Sequence, residues 1–280
     1  MKPRQVILTL MLLAILLTSV FIFFYCANWN YILLTLEVEG SIIAVSMIVI
    51  RIVILIVMTI YLFYRWAQQE ISQYLSDTPF LMALFIFLLV FGKVFDLFYN
   101  FMYYHYDDMS FLLLLKVRFG YIIVNMIPLL LVSADIWLFS LSDRARKILW
   151  IIKLNTSRLE NDQYRSSFKF KLILTLSLIE ILIVMMVSSV FMISNLLTVI
   201  AIPTLILVTW LFFKAYKLGR LHGKCNPLIL TLGFLLYTIS QVIRVLAQLF
   251  FGRTPFYMFM VEFIDSVIFM IIFYGLINKS

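Results

Sequence analysis

The sequence predicts an all-α polytopic membrane protein: about eight transmembrane helices in two parallel four-helix repeats, with both termini on the cytoplasmic side. Three observations predict it. The 280 residues are 64% hydrophobic and only 13% charged, whereas a soluble domain has roughly 45–50% apolar and about 25% charged residues. Eight runs reach the length of about 20 apolar residues that a spanning helix needs. The basic residues gather in alternate loops between those runs, as membrane insertion requires.

The first run, 6–27, follows Lys2 and Arg4 and opens like a signal peptide. Its apolar stretch of about 21 residues exceeds the 7–15 of a signal h-region, and no A-x-A site follows, so it reads as a retained helix. The other runs are 41–64, 80–103, 117–141, 172–193, 197–213, 227–251 and 256–277. Only "SNLL" around Ser194 and Asn195 divides the fifth from the sixth, and Pro203 is a kink point in the sixth.

Sixteen Lys and Arg residues, from Lys2 to Lys279, fall on one set of loops. The opposite set carries Glu37, Glu39, Asp107, Asp108 and Arg253, with Lys116 and Arg118 at its border. That asymmetry sets an N-in, C-in orientation in a cell membrane. It also accounts for the net charge of +8 without a nucleic-acid partner. The lipid bilayer is the expected partner. Cys26 and Cys225 fall on opposite sides, too far apart for a disulfide.

An internal repeat emerges next. "PFLMALFIFLLVFGKVFDLFYN" from Pro79 aligns without a gap on "PLILTLGFLLYTISQVIRVLAQ" from Pro227, setting Lys93 on Gln241, Asp96 on Arg244 and Asn100 on Gln248. "YLFYRWAQ" from Tyr61 matches "WLFFKAYK" from Trp210 upstream, and "VRFGY" from Val117 matches "VEFID" from Val261 downstream. The chain thus divides into a first four-helix repeat (1–141), a basic connector (142–171) and a second repeat (172–280). The connector contains "RKILWIIKL", which suits an interfacial helix on anionic lipids or a docking surface for a cytoplasmic protein; ordinary positive-inside charge is the plainer explanation.

Polar residues three and four apart share a helix face. Lys93, Asp96 and Asn100 form one intramembrane stripe; Gln241, Arg244 and Gln248 form the matched one. Arg118 falls on Glu262 in the repeat, with Asp265 one turn further on, so signs reverse at matched positions. Asp96 is expected to pair with Arg118, and Arg244 with Glu262 or Asp265. Three basic and three acidic residues (Lys93, Arg118, Arg244; Asp96, Glu262, Asp265) then form a neutral cluster in the outer half of the bundle, as hydrocarbon surroundings favour. Arg51, Asp135 and Glu180 are expected to extend the polar path inward, with Arg51 pairing one of the acids.

No catalytic constellation is legible. Glu262, Asp265 or Asp96 could serve as acid or base, but nothing marks a nucleophile. His105 and His222 lie on opposite sides, which argues against a metal or other cofactor; His105 beside Asp107 and Asp108 reads as a solvated loop rather than a cation site. Aromatic residues near helix ends, Trp66 among them, read as interfacial anchors. Two readings of the cluster remain: interhelical staples without a ligand, or a site for a small polar ligand. The site reading makes the chain a non-enzymatic sensor-like domain or, alternatively, a transporter. Duplicated halves favour transport, whereas 8 glycines and 6 prolines are few for moving, broken helices.

Overall fold

The computed structural model describes residues 3–69, 75, 77–103, 105–141, 162–219, 221, 225–252 and 254–278. Among them the protein is all-helical: α1 (Pro3–Ala27), α2 (Trp29–Leu36), α3 (Ser41–Ala67), α4 (Thr78–Met102), α5 (Asp108–Leu141), α6 (Asp162–Met186), α7 (Val190–Lys217), α8 (Pro227–Phe251) and α9 (Pro255–Ile277). Seven of these are long and apolar enough to cross a membrane, which makes the chain a multi-pass membrane protein. The exceptions are α2, which has only 8 residues, and α6. The start of α6 carries Lys169 and Lys171, and the stretch beyond them, interrupted by Glu180, ends at Met186, short of about 20 apolar residues.

Local chemistry sets several boundaries. Pro79 and Pro255 occupy the first turns of α4 and α9, where the missing N–H costs nothing. The Thr254 hydroxyl accepts from the Tyr257 amide at 3.2 Å, and the Asn226 side-chain carbonyl accepts from the amides of Leu228 and Ile229. The division between the fifth and sixth predicted spans lies elsewhere than expected. The chain breaks at 187–189, where extended Ser189 accepts from the Met192 amide at 3.2 Å, and Ser194 and Asn195 continue inside α7. A hydroxyl in capping geometry outweighs a merely polar dipeptide. The fourth predicted span also starts too late. α5 begins at Asp108, with the amide of Phe111 bonded to the Asp107 carbonyl at 2.9 Å, so Arg118 lies deeper than the sequence suggested. The short α2 was not anticipated. Of the connector, 142–161 lies outside the described residues, and 162–171 is already the start of α6.

Six helices close into a ring. α4 packs between α3 and α5, α8 packs between α7 and α9, and the triplets meet through α3 against α9 and α5 against α7. Phe85 of α4 reaches across to Phe234 of α8 and Phe269 of α9, with ring centroids 6.4 Å apart in each case. The centre is thus filled with aromatic and aliphatic side chains rather than small residues. Two glycines do matter. A Cβ on Gly233 would sit 2.6 Å from Ile272 Cγ1, and one on Gly275 would sit 3.1 Å from the Leu230 amide nitrogen. These positions let α8 and α9 touch near one end, where the Asn226 amide also donates to the Gly275 carbonyl at 2.8 Å.

α1 and α2 lie outside the ring against α4. α6 lies outside it against α5, and antiparallel to it: Lys169 Nζ meets Asp135 Oδ2 at 2.6 Å, and at the other end Lys116 Nζ donates to the Met185 carbonyl at 2.9 Å. Trp66 is no exposed interfacial anchor. It is 1% exposed and packs on Phe80 with centroids 4.7 Å apart.

Candidate functional site

α4 and α5 run antiparallel, so a polar residue near the end of one faces a polar residue near the start of the next. Arg118 Nε donates to Asp96 Oδ1 at 2.7 Å, and its guanidinium lies 4.5 Å from the centroid of the Tyr99 ring. On the matched hairpin, Arg244 Nη2 donates to Asp265 Oδ2 at 2.5 Å and lies 3.9 Å from Glu262 Oε1. Asp265, rather than Glu262, is therefore the direct partner of Arg244. Ser240 donates to the other Asp265 oxygen at 2.6 Å, and the Tyr257 hydroxyl donates to the Arg244 carbonyl at 2.7 Å.

The two halves are joined through Glu262. Lys93 Nζ of α4 donates to its Oε1 at 2.9 Å, and Arg51 Nη1 of α3 donates to its Oε2 at 2.5 Å and to Asp265 Oδ2 at 2.9 Å. Lys93 also lies 3.3 Å from Asp96 one turn along its own helix. Seven charged side chains thus form one continuous network. Arg51 and Asp265 are fully buried, and Glu262 and Lys93 nearly so. Such burial is tolerable only because every charge has an opposite neighbour.

Two expectations need correcting. Arg51 is not an inward extension but the centre of the network, because it starts ten residues into α3, the same depth at which Asp265 starts into α9. With Arg51 included, four cations face three carboxylates, so the network is not neutral but carries one surplus positive charge. Nor do Asp135 and Glu180 continue the path. Asp135 is taken by Lys169, outside the ring. Glu180 lines a separate crevice of about 20 Å³ among Phe119, Ile123, Leu130 and Thr204.

A cavity of about 230 Å³ opens beside the network, between α4, α5, α7, α8 and α9. Lys93, Asp96, Arg118, Arg244 and Glu262 line it, together with Asn100, Asn125 and Gln241. Phe95, Tyr99, Tyr121, Tyr237 and Tyr257 form aromatic walls. Asp265 and Arg51 stand behind this lining. Gln248 lies on α8, but its side chain falls outside the described residues. Tyr237 and Ser240 were missed in the sequence, although Tyr237, Gln241 and Arg244 follow the four-then-three spacing of one helix face.

Outside the membrane-spanning segments, His105 stacks on Tyr31 at 5.2 Å, and its Nε2 lies 3.1 Å from Thr35 Oγ1, which ties His105 to α2. Hydrogen bonds from Ser110 hold the Asp107 carboxyl below the usual carboxylate range. Among the described residues no group of three His, Cys, Asp or Glu side chains could hold a metal ion. Compared with known protein families, curated proteins and solved structures, the chain matches none.

Proposed function

We propose that the chain is a non-enzymatic, ligand-binding membrane domain of the sensor type, whose site is the polar cavity inside the six-helix ring. The observation that carries this reading is the cavity itself: five charged side chains line a space of about 230 Å³ within an apolar bundle. Staples that served only to hold helices together would close on one another and leave no such space. Pockets for drug-sized ligands start at roughly 300 Å³, so the occupant is a small solute.

Orientation follows from loop charge. With the basic loops and both termini in the cytoplasm, which makes α6, antiparallel along α5, an eighth crossing, the cavity lies in the outer half of the bundle. The paired packing of α3–α4–α5 and α7–α8–α9 supports a duplicated origin, and the 142–171 connector then joins the repeats on the cytoplasmic side. Such a placement lets an outer site report to a basic inner loop, where anionic lipids or a cytoplasmic protein can dock.

The alternative is a secondary transporter. Transporter sites commonly sit where spanning helices are interrupted. Here α5 continues through Pro128 and α7 through Pro203, which favours binding without translocation. The test is a panel of small solutes screened by thermal unfolding of the purified protein, with any binder then assayed for uptake in proteoliposomes. Saturable binding without uptake is expected. Saturable uptake would move the assignment to transport, and a cavity that binds no solute would end the site reading.

A further inference from the structure

The charge count around the cavity specifies its occupant. Lys93, Arg118 and Arg244 line it against Asp96 and Glu262, a surplus of one positive charge at the wall. The two charges behind the wall do not change this, because Arg51 and Asp265 cancel. Both lining carboxylates are already engaged: Asp96 by Arg118 and Lys93, Glu262 by Lys93 and Arg51. A cationic solute would have to displace one of these partners. An anion would not.

Donors point the same way. Gln241 Nε2 and Arg244 Nε are buried and have no acceptor among the described residues. They lie three residues apart on α8, hence on one face, and both residues line the cavity. Buried donors without acceptors are costly, and an oxyanion satisfies two at once. The size excludes a bare halide as the natural fit: at about 30 Å³ per water, the space holds about eight waters. The rest of the wall is aromatic and aliphatic, with Leu89, Ile122 and Leu205 among the latter, which suits a short carbon skeleton.

Resting on the cavity reading above, we propose that the site takes a small organic monocarboxylate. Its carboxylate lies at Gln241 and Arg244, with Arg118 on the facing helix, and its carbon chain lies against Tyr99, Tyr121 and Tyr237. Binding cancels the surplus charge of the network, so the loaded site is electrically neutral within the bilayer.

The experiment uses the purified full-length chain in a non-ionic detergent and three matched probes: propionate, propionamide and propylammonium, as the sodium or chloride salts. Their affinities are measured by isothermal titration and by the shift of the unfolding midpoint, which a ligand raises in proportion to its occupancy. Propionate is expected to bind at least tenfold more tightly than either of the others. Gln241→Leu, which removes a donor without touching any ion pair, is expected to weaken propionate at least tenfold. Equal or tighter binding of propylammonium or propionamide, or an unweakened Gln241→Leu variant, would overturn the carboxylate assignment while leaving a solute-binding cavity standing. Failure of all three probes to bind would overturn both.

Discussion

α4 and α8 invite comparison. Their sequences can be set against each other without a gap from Pro79 and Pro227, each has a proline in its first turn, and each carries a polar face, yet their surroundings differ. In its most apolar stretch α4 is 72% buried inside the protein, whereas α8 is 28% buried. The cause is what covers them. α1 and α2 lie on α4, but α6, the element that would be the counterpart of α1, lies on α5. The outer face of α8 is left to Leu232, Leu235, Leu236, Ile239 and Ile243, all exposed. Two helices of similar polar pattern thus serve one as the core of the molecule and the other as part of its outer wall. What the two environments share is the inward face, where Asp96 and Arg244 each meet an opposite charge. Lipid is as apolar as leucine, so the outer face tolerates either fate; the polar face tolerates only one.

The strongest way to break this picture is at the charge that joins the halves. Arg51→Met leaves Glu262 and Asp265 without their central partner in a buried setting. It is expected to cost about 3–5 kcal/mol, read as loss of monodisperse protein on size exclusion in detergent. Single reversals at the α4–α5 pair come next. Asp96→Arg or Arg118→Asp should each lose about 3 kcal/mol, and the double variant should regain most of the unfolding midpoint. A double variant no better than the singles would show that the pair is not independent of Lys93.

Apolar truncation sharpens the contrast directly. Ile86→Ala on α4, at a fully buried position, should cost about 2 kcal/mol through the cavity it leaves. Ile239→Ala on the outer face of α8, where lipid refills the space, should stay within about 0.5 kcal/mol; thermal unfolding of the two variants side by side compares them. An effect between these two is expected at Gly275→Ala, where the new Cβ meets the Leu230 amide nitrogen and Ile229. A loss of about 1 kcal/mol is expected, with no change at Gly252→Ala beyond its strained backbone, since nothing approaches that position.

Much of the fold was legible because hydropathy alone marks segments that water cannot solvate. Where the boundary depended on hydrogen bonding it was not legible: α7 starts from the single capping hydroxyl of Ser189, and α5 runs out to Asp108 despite Lys116. The seventh-span count also turns on detail, since α6 packs along α5 from Asp135 to Lys116 although its charges disqualify it by composition. For the polar residues, helical spacing and the sign reversal between the aligned stretches already brought Asp96 to Arg118 and Arg244 to Glu262 or Asp265, and the distances select Asp265. The role of Arg51 was only half visible. Its partners lie more than two hundred residues away, across an α3–α9 contact that exists because the ring closes, and no local pattern encodes that closure.

The α8–α9 hairpin is sewn together internally, by the glycine contact at one end and by Arg244, Asp265 and Tyr257 toward the other. The α4–α5 hairpin has its own seam at Asp96 and Arg118. Between the halves the ionic fastening rests on two carboxylates of α9: Glu262 takes Lys93 of α4 and Arg51 of α3, and Asp265 takes Arg51 as well. A latch with two tongues gives way at the broader one: Glu262→Gln weakens two of these three links and should loosen the halves against each other while leaving each seam shut. Hydrogen exchange that rises along the α3–α9 contact, but not within either hairpin, is the signature to look for.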